Sequence, residues 1–158
     1  MARMTFKAGE EYALKLSKLS TGSDDIAKKA IYAAADILAD KIRDNLEANL
    51  RDPSYVGKKG NVLFKNKYNV TTGELEKSLG IAKIKRDEFG NWNTKIGFDG
   101  YDSKGVPNQL KARVMESGSS KIRKRPFVRP AVNATKDRAV AKMGQVIDEE
   151  IAKIFGGE

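Results

Sequence analysis

Two kinds of side chain in this sequence could do chemistry. One is carboxylates in adjacent pairs, Asp24-Asp25 and Glu149-Glu150; the other is a run of cations, Lys121, Arg123, Lys124 and Arg125. Carboxylates hold Mg²⁺ when their oxygens converge on one point. Neighbouring residues of a helix point in different directions, so neither pair converges alone and both read as solvated helix faces. Asp24-Asp25 would also suit the positive end of a helix. The chain contains no histidine and no cysteine. This removes the commonest general base, thiolate nucleophiles, disulfides and ordinary zinc sites together. Neither a phosphate-cradling Gly-x-x-x-x-Gly-Lys nor a Gly-x-Ser-x-Gly elbow is present. Without a site constellation, no enzyme, cofactor or small-molecule substrate is expected.

The cations carry more information. The net charge is +9, and its placement is uneven. Residues 53–70 contribute +4 through Lys58, Lys59, Lys65 and Lys67, and residues 111–129 contribute +6, which leaves −1 for the rest. Both segments read as loops. Such a field calls for an acidic partner, either nucleic acid or an acidic protein surface. Lys58, Lys59, Lys121, Arg123, Lys124, Arg125 and Arg129 are the candidate contacts. No zinc finger, aromatic RNA-recognition motif or helix-turn-helix accompanies them. A nucleic-acid role would therefore be sequence-independent and steeply salt-dependent.

The elements that must position these residues follow from spacing. A length of 158 residues predicts one domain with a self-supporting core. No apolar run approaches a membrane span, and Met1 to Phe6 shows no signal-peptide core. Phe6 to Leu19 predicts a short helix, broken at Ser20-Thr21-Gly22. Ser23 then caps a second helix whose stripe runs from Ile26 through Ile42 and Leu46 to Leu50, until Pro53 stops it. Residues 53–70 predict a long protruding loop holding Tyr55, Phe64 and Tyr68. Either it orders against a partner or it is a hairpin packing its own side chains. Thr71 and Glu74 have capping-box spacing for a short helix. Gly80–Asp87 and Asn91–Asp99 predict a hairpin turned by Glu88-Phe89-Gly90-Asn91. Asn108 to Met115 is ambiguous between helix and strand. Pro130 to Phe155 is a long helix, in which Gly144 would be explained by a close helix crossing. The expected fold class is α+β, with two long helices packed on a small antiparallel sheet and a long basic loop.

The sequence Met115-Glu116-Ser117-Gly118-Ser119-Ser120, the basic run, and Arg125-Pro126-Phe127-Val128-Arg129-Pro130-Ala131 form a single signature. Pro126 and Pro130 impose an extended entry into the last helix, with Pro130 in its first turn. Glu, a small polar residue, Gly, Ser, cations and Pro-Phe-aliphatic-Arg-Pro-Ala, in that order, resemble the C-terminal signature of the tail-component family of long-tailed bacteriophages. Ser117 and Ser119 stand where that family often has an aromatic and a threonine. Thr72-Gly73-Glu74-Leu75-Glu76-Lys77-Ser78 resembles a second motif of the family. The resemblance implies a structural virion protein of the neck that joins head and tail or completes the tail. It implies a homo-oligomeric ring contacting neighbouring neck and tail proteins, located in the virion after assembly in the host cytoplasm. In that setting Phe127 would anchor into a neighbour or into its own helix pair, and Pro126, Pro130, Tyr55, Phe64 and Tyr68 would join it at the interface. Passing DNA, or an acidic neighbour, would meet the cations.

Overall fold

The computed structural model describes residues 7–52, 73–120 and 123–156, with side chains from residue 13 onward. The order of elements is α1 (Lys7–Arg51), α2 (Glu74–Lys77), β1 (Leu79–Ile81), β2 (Lys85–Arg86), β3 (Trp92–Asn93), β4 (Ile96–Phe98), α3 (Asn108–Ser117) and α4 (Val128–Phe155). The fold is α+β.

The expected break at Ser20-Thr21-Gly22 does not occur: α1 runs unbroken for 45 residues. Ser23 is therefore not a cap, and Asp24-Asp25 lie inside the helix rather than at its start. The three hydroxyl and glycine residues are accommodated individually. Thr21 Oγ1 donates to the carbonyls of Ser17 and Lys18, and Ser23 Oγ donates to that of Ser20. Such back-bonding costs little, and one glycine costs about 1 kcal/mol. Packing against α4 outweighs both. The two helices run antiparallel: Asn45 meets Phe127 at one end, Lys29 meets Glu150 further along, and Lys15 Nζ donates to the last helical carbonyl, that of Phe155. Arg51 ends α1 because Asp52 precedes a proline, which disfavours helical backbone there.

The core lies at one end of this pair. Ile42, Leu46 and Leu50 of α1 pack with Leu75, Leu79, Ala112, Met115, Phe127 and Ala131. Each fully buried Leu or Phe contributes about 1.5–3 kcal/mol. Away from that end α4 is thinly covered. Only Ala131 and Thr135 of its 28 residues are buried, and Val132 and Val140 are 39% and 68% exposed. Gly144 faces open space, so no close crossing explains it.

The expected hairpin forms in two pieces. In β1–β4 the pairs are Leu79↔Phe98, Gly80↔Gly97 and Ile81↔Ile96; in β2–β3 they are Lys85↔Asn93 and Arg86↔Trp92. Three residues, 82–84, thus face two, 94–95, which is a one-residue bulge. The bulge turns Ile84 inward, where it is 8% exposed. The N–H freed from the ladder donates to the Tyr32 hydroxyl of α1 at 3.2 Å. At the far end Asp87 Oδ1 accepts the N–H groups of Phe89 and Asn91. The ambiguous segment 108–115 is helical, as α3.

Candidate functional site

Glu116 organises the start of α4. Its carboxylate accepts three consecutive backbone N–H groups: Phe127 at 2.7 Å and Val128 at 2.9 Å on Oε2, and Arg129 at 2.9 Å on Oε1. A helix begins with four N–H groups that lack helical partners. The next residue here is Pro130, which has none to offer. Glu116 and Pro130 together therefore leave no orphan donor, and the negative carboxylate also sits at the positive end of the helix dipole. Gly118 lets the chain turn from α3 toward this joint with φ +80°, ψ 177°, a region open essentially to glycine alone.

The extended segment before α4 is held from both sides. Arg125 N–H donates to the Met115 carbonyl at 2.7 Å. From α1, Asn49 Nδ2 reaches the Arg125 carbonyl at 3.2 Å and Asn45 Nδ2 reaches that of Phe127 at 3.1 Å. Phe127, the side chain this framework delivers, is completely buried within its own protomer and meets Phe98 edge-to-face at 5.8 Å. Pro126 and Pro130 stay at the surface. In the second motif, Gly73 takes φ +69° at the start of α2, Leu75 enters the core, and Ser78 Oγ donates back to the Leu75 carbonyl at 2.7 Å.

The basic segment 111–129 divides once it is folded, and not all of it is a loop. Lys111 and Arg113 belong to α3. Lys111 is buried against Asp102, with side chains 4% and 6% exposed. Asp102 also accepts the N–H groups of Val106 and Lys104. The Lys111 contact first, then these N–H groups, lower its carboxyl to about 2. Arg125 pairs with Asp52 at the end of α1. These two cations are parts of the fold. Arg123, Lys124 and Arg129 are at the surface. Tyr55, Phe64, Tyr68, Lys58, Lys59 and Lys121, together with Thr71, lie outside the described residues.

The acidic pairs are split between partners. Asp24 accepts Trp92 Nε1–H at 3.0 Å and Arg86 at 2.7 Å, contacts that hold its carboxyl below the usual range. Lys28 and Arg86 flank the Trp92 ring at 4.5 and 4.6 Å, so this cluster fastens the hairpin to α1. Asp25 pairs with Lys28 in its own helix. Glu150 bridges Lys153 and Lys29, which lower its carboxyl. Among the described residues no three acidic side chains gather as a metal site requires, and no helix is long and apolar enough to cross a membrane.

Beside the joint, a groove of about 860 Å³ opens between β1, β4, α3 and the first turns of α4. Its floor is apolar and its rim carries Lys95, Arg113 and Arg129. Sequence reasoning did not find this groove, the Glu116 cap or the Asp102–Lys111 pair. The one available signal was a lone Glu in an otherwise small and basic stretch preceding an uncapped helix.

Residues 10–98 match the model of the family described as "Bacteriophage HK97-gp10, putative tail-component". No curated protein and no solved structure matches the chain. The match covers α1 from Glu10 onward, α2 and the whole hairpin, more than half of the sequence, and the chain belongs to this family of phage tail components.

Proposed function

We propose that this protein is a structural subunit of the neck of a tailed phage or prophage, joining head to tail or completing the tail as part of a ring. The observation that carries the reading is the uncovered side of the long helix pair. α4 has 28 residues, yet Val132 and Val140 are exposed and Met143, Ile147 and Ile151 are only half-buried. Two helices side by side cannot cover each other's full apolar faces, and a neighbouring copy would complete the burial. Repeated head-to-tail contacts between copies close into rings when the rotation closes. The partners are further copies and adjacent neck and tail proteins, met in the host cytoplasm during assembly and retained in the virion. The protein acts by binding, with surface cations such as Lys124 and Arg129 facing passing DNA or an acidic neighbour.

Native mass measurement, alone and with purified tail and neck proteins, tests the reading. A closed oligomer supports it. A chain that stays monomeric at high concentration and with every such partner refutes it. DNA binding should be weak, indifferent to sequence and lost as salt rises. Tight binding to one sequence at high salt would instead indicate a regulator.

A further inference from the structure

The groove and the tip of the hairpin are complementary surfaces set apart on one protomer. The groove floor includes Ile81, Ile96, Phe98, Ala112, Val128 and Val132. Lys95, Arg113 and Arg129 on its rim are exposed, and none is ion-paired among the described residues. Asp99 and Glu116 also line it; Asp99 Oδ1 accepts the Gly100 N–H, and both Glu116 oxygens are engaged by the start of α4, so the three cations outnumber the two anions. The groove is thus an apolar slot with unsatisfied positive charge at its edge.

The hairpin tip is Asp87-Glu88-Phe89. Phe89 is 80% exposed, more than any other large hydrophobic residue described, and Glu88 beside it is at the surface. The tip is rigid. Asp87 closes the turn through two backbone N–H groups, and the Asp24–Trp92–Arg86 cluster fastens the strands behind it to α1. A preorganised apolar knob loses little entropy on docking. It cannot enter its own groove, because it stands seven residues beyond Ala82, at the groove's edge, and the first five of these, to Asp87, already span roughly 16 Å along the strand.

We propose that Phe89 of one copy seats in the groove of the next, with Glu88 facing Lys95, Arg113 and Arg129. This rests on the ring reading and specifies its contact. Knob and slot are different surfaces, so the contact is head-to-tail and repeats from copy to copy. The charges set its register, and the ring and apolar floor supply its hydrophobic centre.

The natural sequence lacks cysteine, which makes cross-linking specific. Glu88→Cys and Gln109→Cys variants, Gln109 being an exposed residue of the groove lining, are mixed under conditions where native mass spectrometry shows the closed oligomer. A disulfide-linked dimer from the mixture, and from neither variant alone, is expected. Phe89→Ser should weaken self-association on the order of tenfold or more with an unchanged melting temperature. Glu88→Arg should weaken it as well, and Arg113→Glu in the adjacent copy should restore it. If Phe89→Ser forms the same oligomer and no cross-link appears, the contact is overturned while the ring stands. If the groove cross-links to another tail protein and not to a second copy, the contact is likewise overturned. If the protein remains monomeric with every partner, native mass alone removes the ring reading and this contact with it.

Discussion

Replacing Glu116 by alanine removes the acceptor for three N–H groups at once. The cost can be worked from the geometry. Loss of an ordinary N-terminal cap costs about 0.5–2 kcal/mol. Here two further donors, Val128 and Arg129 or Phe127, lose a charged acceptor, at about 1–3 kcal/mol for each that stays out of reach of water. Arg129 is exposed and will find water; Phe127 N–H lies beside a fully buried side chain and will not. These terms overlap, because one carboxylate serves all three. Glu116→Ala should therefore cost about 3 kcal/mol, or roughly 6–12 °C in melting temperature for a chain of this size. Glu116→Gln keeps one carbonyl oxygen in place but turns an NH₂ toward a donor, so it should fall between alanine and the natural residue. Urea unfolding followed by circular dichroism, at a concentration where the protein is monomeric, reads both values. If Glu116→Ala costs less than about 1 kcal/mol, or if glutamine is no better than alanine, the carboxylate does not hold the helix start and the account of this joint is wrong.

Four further outcomes are expected. Phe127→Ala should cost roughly 3–5 kcal/mol, visible as a lower melting temperature of the monomer; a stable but assembly-deficient variant would contradict its place in the protomer core. Gly144→Ala should stabilise by about 0.5–1 kcal/mol in the same unfolding assay, because its Cβ meets open space. Asp102 is depressed from 3.8 to about 2, so its contribution is present above pH 3.8 and fades as pH falls toward 2; unfolding of Asp102→Asn across that window should show a flatter pH dependence than the natural protein. Lys124→Gln should leave stability unchanged, whereas Arg125→Gln should lower the melting temperature by uncoupling Asp52 from the segment that leads into α4.

How much of this could be read from the sequence depended on the distance over which each feature is determined. The stripe from Ile26 to Leu50 and the turn at Glu88–Asn91 are local patterns, and they fold as local patterns indicate; the entry at Pro126–Pro130 does so in part, because α4 begins at Val128 rather than Pro130 and holds Arg129 in its first turn, its N–H accepted by Glu116. Ser20-Thr21-Gly22 also looks like a local break, but α4 packs along that stretch from between 121 and 140 residues away and carries the helix through it. Lys111 reads as one cation among several; only the loop at 102–106 brings Asp102 onto it and buries both. Glu116 is eleven residues from Phe127, whereas capping rules search three residues ahead. The hairpin's spacing does hold a trace of its bulge: Leu79, Ile81 and Ile84 are apolar, and the odd step from 81 to 84 cannot keep one face without an extra residue.

The antiparallel pair of α1 and α4 joins the two ends of the described chain, and this has a consequence for synthesis. α1 emerges from the ribosome first, with its apolar stripe complete and the helix that covers it still untranslated. At about 5–20 residues per second, α4 follows roughly 5–20 s later. Throughout that interval Ile26, Ile42 and Leu46 have only α2, the hairpin and α3 to pack against, and the side that α4 will cover stays open. Each nascent chain on a polysome therefore presents a long, sticky helix to its neighbours before it can close on itself. A tail protein made in quantity would be exposed in this window to premature pairing with sister chains, and to the chaperones that prevent it.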